Sequence, residues 1–231
     1  MFAELLARRV RRDGARPLLT SYPGGGQRTE LSAISYANWV AKTANLLEEL
    51  DVGPGDAVAL PVLRDHPASW MSLAWVGACW TAGCVATPGG DDAAAAKARA
   101  VVTGPEIGAA TDGQTAIACS LHPMGLGFVD ELPAGTIDWV AEARIQPDAY
   151  AGTFPSPDDV AWVDSAQQLS QAQLGAIEPS SARSLVIAAD PWPTVRDALL
   201  APLLGGGSAV VVGAGIESAE RARIAASERV G

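Results

Sequence analysis

Residues 70–87 carry no charged side chain. A stretch like that must be hidden from water, either in lipid or in a protein core. A spanning helix needs about 20 predominantly apolar residues. This run is short for that and is diluted by Ser72, Gly77, Thr81, Gly83 and Thr87. The pair Ala82-Gly83 also breaks it. A buried helix through Trp70, Leu73, Ala74, Gly77 and Ala78, followed by a buried strand over residues 84–87, accounts for it better. A helix and a strand that are both apolar all round need covering layers on each side, which points to stacked helices and sheet.

The rest of the chain alternates in the same way. Phe2, Leu5, Leu6 and Val10 give residues 1–13 a helical spacing, and Glu4 with the arginines interrupts any export-signal core. Residues 17–22 read as a strand, Pro23-Gly24-Gly25-Gly26 as a turn, and residues 28–31 as the returning strand. Ser35 is expected to cap the next helix, which carries Val40, Ala44, Leu47 and Leu50 on one side. Residues 57–63 read as one covered strand interrupted by Pro61, and Pro67 suits the first turn of the helix after it. Asp91 or Asp92 is expected to cap an Ala-rich helix reaching Val102. Strands are expected over residues 107–110 and 115–119, a loop over 123–133, and a short helix over 137–144. Residues 152–159, rich in Pro, Ser and Asp, read as an internal linker. A strand at 160–163, a helix at 169–177, a strand at 184–189, a helix at 195–204 with an awkward Pro202, a strand at 208–212 and a helix at 218–229 complete the pattern. The expected fold class is α/β, layered, with a mainly parallel sheet flanked by helices.

Charge narrows the function classes. The formal net charge is -10, and the only lysines are Lys42 and Lys97. An acidic chain repels a phosphate backbone, so nucleic acid is not an expected partner. Arg8, Arg9, Arg11 and Arg12 read as a solvated helix face. The 3 cysteines, Cys79, Cys84 and Cys119, match no zinc or redox spacing and read as reduced core residues of a cytoplasmic protein. No membrane span, metal or cofactor is expected.

Three stretches carry a family resemblance. Ile34-Ser35-Tyr36-Ala37-Asn38-Trp39 is similar to an L-[ST]-Y-x-E-L helix start. Leu50-Asp51-Val52-Gly53-Pro54-Gly55-Asp56-Ala57-Val58-Ala59-Leu60 is similar to L-G-V-x-x-G-D-x-V-A-L. Trp75-Val76-Gly77-Ala78-Cys79-Trp80-Thr81-Ala82-Gly83-Cys84-Val85-Ala86-Thr87-Pro88 is similar to a helix, an A-G break and a strand ending in proline. In this order they resemble the N-terminal subdomain of the adenylate-forming (acyl-CoA synthetase-like, AMP-binding) superfamily. Pro157-Asp158-Asp159-Val160-Ala161-Trp162-Val163 resembles the strand before that family's phosphate loop, and Leu200-Ala201-Pro202-Leu203-Leu204-Gly205 with the strand after it resembles a later helix and strand. The resemblance therefore implies one such subdomain over residues 1–231. The chain most resembles a family of short actinobacterial proteins that look like this subdomain with a damaged loop.

The resemblance also shows what is missing. The family's loop reads [ST]-[ST/G]-G-[ST]-[ST]-G-x-P-K-G, with glycines that let peptide N–H groups close on phosphates. Here the matching position reads Asp164-Ser165-Ala166-Gln167-Gln168-Leu169-Ser170-Gln171, without glycine or lysine. Two like charges about 4 Å apart cost roughly 1 to 4 kcal/mol, so Asp164 would oppose a phosphate. The family's second subdomain and its mobile domain with a catalytic lysine are not expected within this chain. No catalytic residue is assigned. Asp164, Ser165 and Trp192 are the candidate lining of a residual pocket. Gly213-Ala214-Gly215 follows a strand and precedes a helix, where an anion could sit, but lacks a third glycine. His66 is expected to cap or stay at the surface, and His122 to lie in a loop. Two readings stand: a non-enzymatic binding or scaffold protein, with a homo-oligomer or a protein partner covering bared apolar surface, or a ligand-binding enzyme with an altered loop working with a second chain.

Overall fold

The computed structural model describes residues 1–89, 93–108, 111 and 113–231. Helix α1 (Phe2–Asp13) buries Phe2, Leu5, Leu6 and Arg9. Strands β1 (Pro17–Tyr22) and β2 (Thr29–Ser32) follow as an antiparallel hairpin. Helix α2 (Ala33–Glu49) is capped by Ser32, whose Oγ accepts from the Ser35 N–H, so the expected cap sits one turn inside the helix. Ser32 is the last extended residue of β2, so its hydroxyl is placed to meet that first-turn donor.

Strand β3 (Ala57–Ala59) is shorter than the apolar run predicts, because Pro61 opens helix α3 (Pro61–Asp65). Proline has no N–H for a ladder and its fixed φ suits a first helical position. Helix α4 (Trp70–Thr81), capped by Ser69, is buried at every residue, and β4 (Val85–Thr87) is equally covered. The uncharged run is therefore core. No helix among the described residues is long and apolar enough to cross a membrane.

After α5 (Ala93–Ala96), residues expected to stay helical form β5 (Ala100–Thr103). The slot beside β3 pairs Ala100 and Val101 with Val58 and Ala59, and β-branched Val101 and Val102 suit it. The expected caps Asp91 and Asp92 lie outside the described residues, as do Ala109 and Ala110; Ile107 and Gly108 are not in a strand. Strands β6 (Thr115–Ala118) and β7 (Thr136–Asp138) lead into α6 (Trp139–Arg144), where Asp138 accepts from the Val140 and Ala141 N–H groups and so delays the helix start.

Beyond residues 152–159, which hold neither helix nor strand, come β8 (Val160–Val163), β9 (Gln168–Ser170), α7 (Gln171–Leu174) and β10 (Arg183–Ala188). The helix expected from residue 169 thus begins later, because β9 first pairs back on β8. Helix α8 (Pro191–Val195), a π-helical turn over residues 196–200 and α9 (Ala201–Gly205) follow one another directly. The π turn, closed by the Ala201 N–H on the Arg196 carbonyl, precedes Pro202, whose ring an ordinary α turn would press against a carbonyl. Strand β11 (Ser208–Gly213) and helix α10 (Ser218–Ser227) end the chain.

The strands form a 7-stranded sheet, β7-β6-β5-β3-β4-β8-β9, and a 4-stranded sheet, β10-β11-β1-β2. Only β9 and β2 run antiparallel to their neighbours. One hydrophobic core reaches both sheets, joining Leu19 and Val211 to Val58, Val102 and Trp162. Helix α4 lies in this shared core. Helix α10 instead covers the opposite face of the smaller sheet, where Ile224 meets Val210 and Val212. Arg9 does not belong to a solvated face as expected: it is 4% exposed, and its guanidinium donates to the Gly206 carbonyl at the end of α9. Arg8, Arg11 and Arg12 are exposed.

Candidate functional site

The candidate site is the bend between β8 and β9. Pairing of Val163 with Gln168 leaves residues 164–167 to turn the chain, and the Asp164 N–H donates to the Gln167 carbonyl at 3.0 Å. No residue of this bend has a positive φ, so the turn forms without a left-handed position. What closes it is the Asp164 carboxylate. Its Oδ1 accepts from the Ala166 N–H at 2.8 Å and the Gln167 N–H at 2.9 Å. Its Oδ2 accepts from the Trp162 indole N–H at 2.7 Å.

Consecutive peptide N–H groups that converge on one point form a concavity for an anion. The bend has such a concavity, and the chain fills it with its own carboxylate, as aspartate does in side-chain-closed turns. A phosphate approaching here meets donors already engaged and a negative charge in their midst. Ser165 is exposed at the tip of the bend.

Trp162, on a strand paired with β4, is fully buried. Its ring lies 5.2 Å from that of Trp192 at 49°. Trp192 sits in the first turn of α8, partly buried against the main core. The structure thus joins Asp164 to Trp192 through Trp162, one fixing the indole N–H and the other packing on the ring. Trp162 is the member that sequence reasoning missed. The available signal was an aromatic two residues before an aspartate at the end of a covered strand.

The other candidates fall elsewhere. His122 Nδ1 accepts from the Met124 N–H in a loop, as expected. The Gly205-Gly206-Gly207 run packs against residues 180–182 so closely that a Cβ on Gly205 or Gly207 would lie 2.3 Å from backbone atoms, so these glycines serve packing. Cys79, Cys84 and Cys119 are buried and unbridged. Burial pushes the Cys84 thiol up to about 12 and raises the other two as well, which keeps all three protonated and poor as nucleophiles or ligands. Among the described residues no group of three or more His, Cys, Asp or Glu could hold a metal ion.

No protein-family profile matches the chain. Its fold is similar to an acyl-CoA synthetase from Brucella canis (TM-score 0.70, 19% identity, 100% of this chain and 49% of that one). It is also similar to coronafacic acid ligase from Pectobacterium brasiliense (TM-score 0.68, 14% identity, 98% and 47%). A third likeness is to the N-terminal domain of FACL13 from Mycobacterium tuberculosis (TM-score 0.68, 13% identity, 99% and 61%). The chain spans about half the length of the first two ligases, and at these identities the likeness is one of fold: the N-terminal portion of adenylate-forming enzymes. In sequence it is 33% identical over 220 residues, 88% of this chain and 85% of the relative, to a TIGR03089 family protein of Mycobacterium tuberculosis (strain ATCC 25618 / H37Rv). With that identity over most of both lengths, the chain belongs to the TIGR03089 family.

Proposed function

We propose that residues 1–231 form a single degenerate subdomain of the adenylate-forming fold that acts without catalysis, as a binding or scaffold protein, through self-association. The observation that carries the reading is the Asp164 carboxylate bonded to the Ala166 and Gln167 N–H groups, in the place a phosphate loop keeps open. Self-association is supported by β10, which is an edge strand. Its residues Arg183–Ala188 include neither proline nor lysine, and Ile187 is 47% exposed. An unguarded apolar edge is a template for pairing, and a second copy supplies the same edge.

Calorimetry and sedimentation test the two parts. Titration with ATP at millimolar concentration is expected to give no heat, and sedimentation to give a dimer that Ile187→Lys converts to monomer. Heat from ATP, or a wild-type monomer, overturns the corresponding part.

A second reading keeps a ligand site with an altered loop, working with a second chain, and draws on the retained strand leading into Asp164 and on the Trp162–Trp192 pair beside it. Heat from AMP, CoA or an acyl-adenylate analogue, lost on Trp192→Ala, would favour it.

A further inference from the structure

Strands β1, β10 and β11 run parallel, so Pro17, Arg183 and Ser208 bring their amino ends to one rim of the smaller sheet. Helices α9 and α10 stop at the same rim, next to Gly206 and Glu228. A cavity of about 490 Å³ opens there. Its charged lining is Arg9, Arg16, Arg183, Arg229, Glu30 and Glu228. Positive charge is thus in excess here, in a chain whose formal net charge is -10.

The fold uses these arginines unequally. Arg183 is fully engaged: it donates to the Glu228 carbonyl, the Glu228 carboxylate, Ser208 Oγ and Thr20 Oγ1, tying the end of α10 to the sheet. Arg9 is not. A guanidinium carries five N–H donors. That of Arg9 is buried and makes hydrogen bonds among the described residues only to the Gly206 carbonyl and, at 3.4 Å, to the Pro17 carbonyl. Its Nε is buried without a partner, and the nearest carboxylate oxygen, on Asp13, lies 3.6 Å from Nη1. Burial works against its charge, as do Arg12 and Arg16 beside it, with Asp13 opposing them. A buried cation so thinly countered calls for an anion from outside the chain.

Arg16 and Arg229 are exposed, and neither side chain has a hydrogen bond or ion pair among the described residues. Arg229 also holds a φ of 54° just past α10. Its N–H donates to the Ala226 carbonyl, and the next N–H, of Val230, to that of Ala225. Glycine is the usual residue at such a left-handed helix end, because a Cβ crowds the following carbonyl. The chain places an arginine there instead, and its side chain lines the cavity.

A carboxylate has two oxygens, which one guanidinium fork satisfies. A phosphate dianion has three terminal oxygens and a second charge, so it can be shared by two free arginines and still answer the charge of a third. We infer that this cavity binds a small phosphomonoester, held by Arg16 and Arg229 with Arg9 supplying buried positive charge. None of these residues belongs to the bend at Asp164, so this site and the reading of that bend stand or fall separately.

Heteronuclear NMR on the isotopically labelled full chain tests it, with glycerol phosphate, glycerol, inorganic phosphate and succinate as probes. Glycerol phosphate is expected to shift the Gly207 and Arg229 amides saturably, inorganic phosphate to shift the same amides, glycerol to shift none, and succinate to bind roughly tenfold more weakly. Arg16→Ala and Arg229→Gly are each expected to weaken glycerol phosphate binding roughly tenfold, as loss of a charge-assisted hydrogen bond does. Both positions are exposed, and Arg229→Gly supplies the residue that the left-handed end favours, so the fold is kept. Arg223→Ala removes an exposed cation of α10 outside the cavity and is expected to leave binding unchanged. Absence of saturable shifts at these amides, binding undiminished in either cavity variant, an equal loss in Arg223→Ala, or succinate binding as tightly as glycerol phosphate would each overturn the assignment. Heat from ATP that Arg229→Gly abolishes would belong to this cavity, and heat that survives it would count against the reading of the bend.

Discussion

At Asp164 one carboxylate satisfies three donors, two from the peptide backbone and one from an indole. Removing it leaves the Trp162 N–H facing a buried environment without an acceptor, which is the costly way to lose a hydrogen bond. Asp164→Ala is therefore expected to lower stability by about 1–3 kcal/mol, and Asp164→Asn by less, in denaturant titration followed by tryptophan fluorescence. An unchanged midpoint for Asp164→Ala would show that the bend holds itself without the carboxylate. The bend was legible in the sequence as a turn after a strand. Its internal bonding was not, because a string of residues does not say that an indole points back toward the residue two places on. A second residue has a pH signature. Glu228 accepts from Arg28, Tyr22 and Arg183, and the Arg28 hydrogen bond, opposed by burial and helped by the other two, holds its carboxyl at about 2, below the ordinary 4.5. A lowered folded-state value means that this contribution to stability is complete above the ordinary value and is lost as pH falls from about 4.5 toward about 2. Glu228→Gln is expected to flatten the stability profile in that window, measured by melting temperature against pH. A profile that falls as steeply as in the parent would assign the acid sensitivity elsewhere.

Elements whose ends are set by local chemistry were legible, and those set by neighbours were not. The strand at Pro17–Tyr22 has the bounds its sequence predicts, since a helix end and a triple-glycine turn flank it. The strand at Ala100–Thr103 was hidden inside an alanine-rich run, and only the vacant place beside β3 selects it over a helix. The start of α2 shows the same limit on a smaller scale, because the sequence pointed to Ser35 as the cap while the structure uses Ser32. Ser32→Ala is expected to cost about 1 kcal/mol, and Ser35→Ala distinctly less, in parallel unfolding titrations. Equal costs would mean that the hydroxyl pair, 3.0 Å apart, acts as one unit. Pro202 was rightly read as awkward, and the helix answers by widening into a π turn ahead of it without ending.

Over the whole molecule, the two sheets draw on one core, so neither can lose its packing without exposing the other's. Chemical unfolding is expected to give one transition, with far-ultraviolet dichroism and tryptophan fluorescence coincident. Two separated transitions would make the two sheets independent units. The layered α/β architecture was legible from strand and helix alternation, whereas the division of the strands between two sheets was not, since β1 and β11 pair across almost the full length of the chain. The aromatic packing has an optical consequence. Trp39, Trp70, Trp75 and Trp139 form a chain of ring neighbours with centroids 5.2 to 6.0 Å apart. At such spacings excitation migrates between indoles faster than any one of them emits. The quartet therefore glows as a single antenna, with a colour set by its lowest-energy member and a low anisotropy even in a rigid protein.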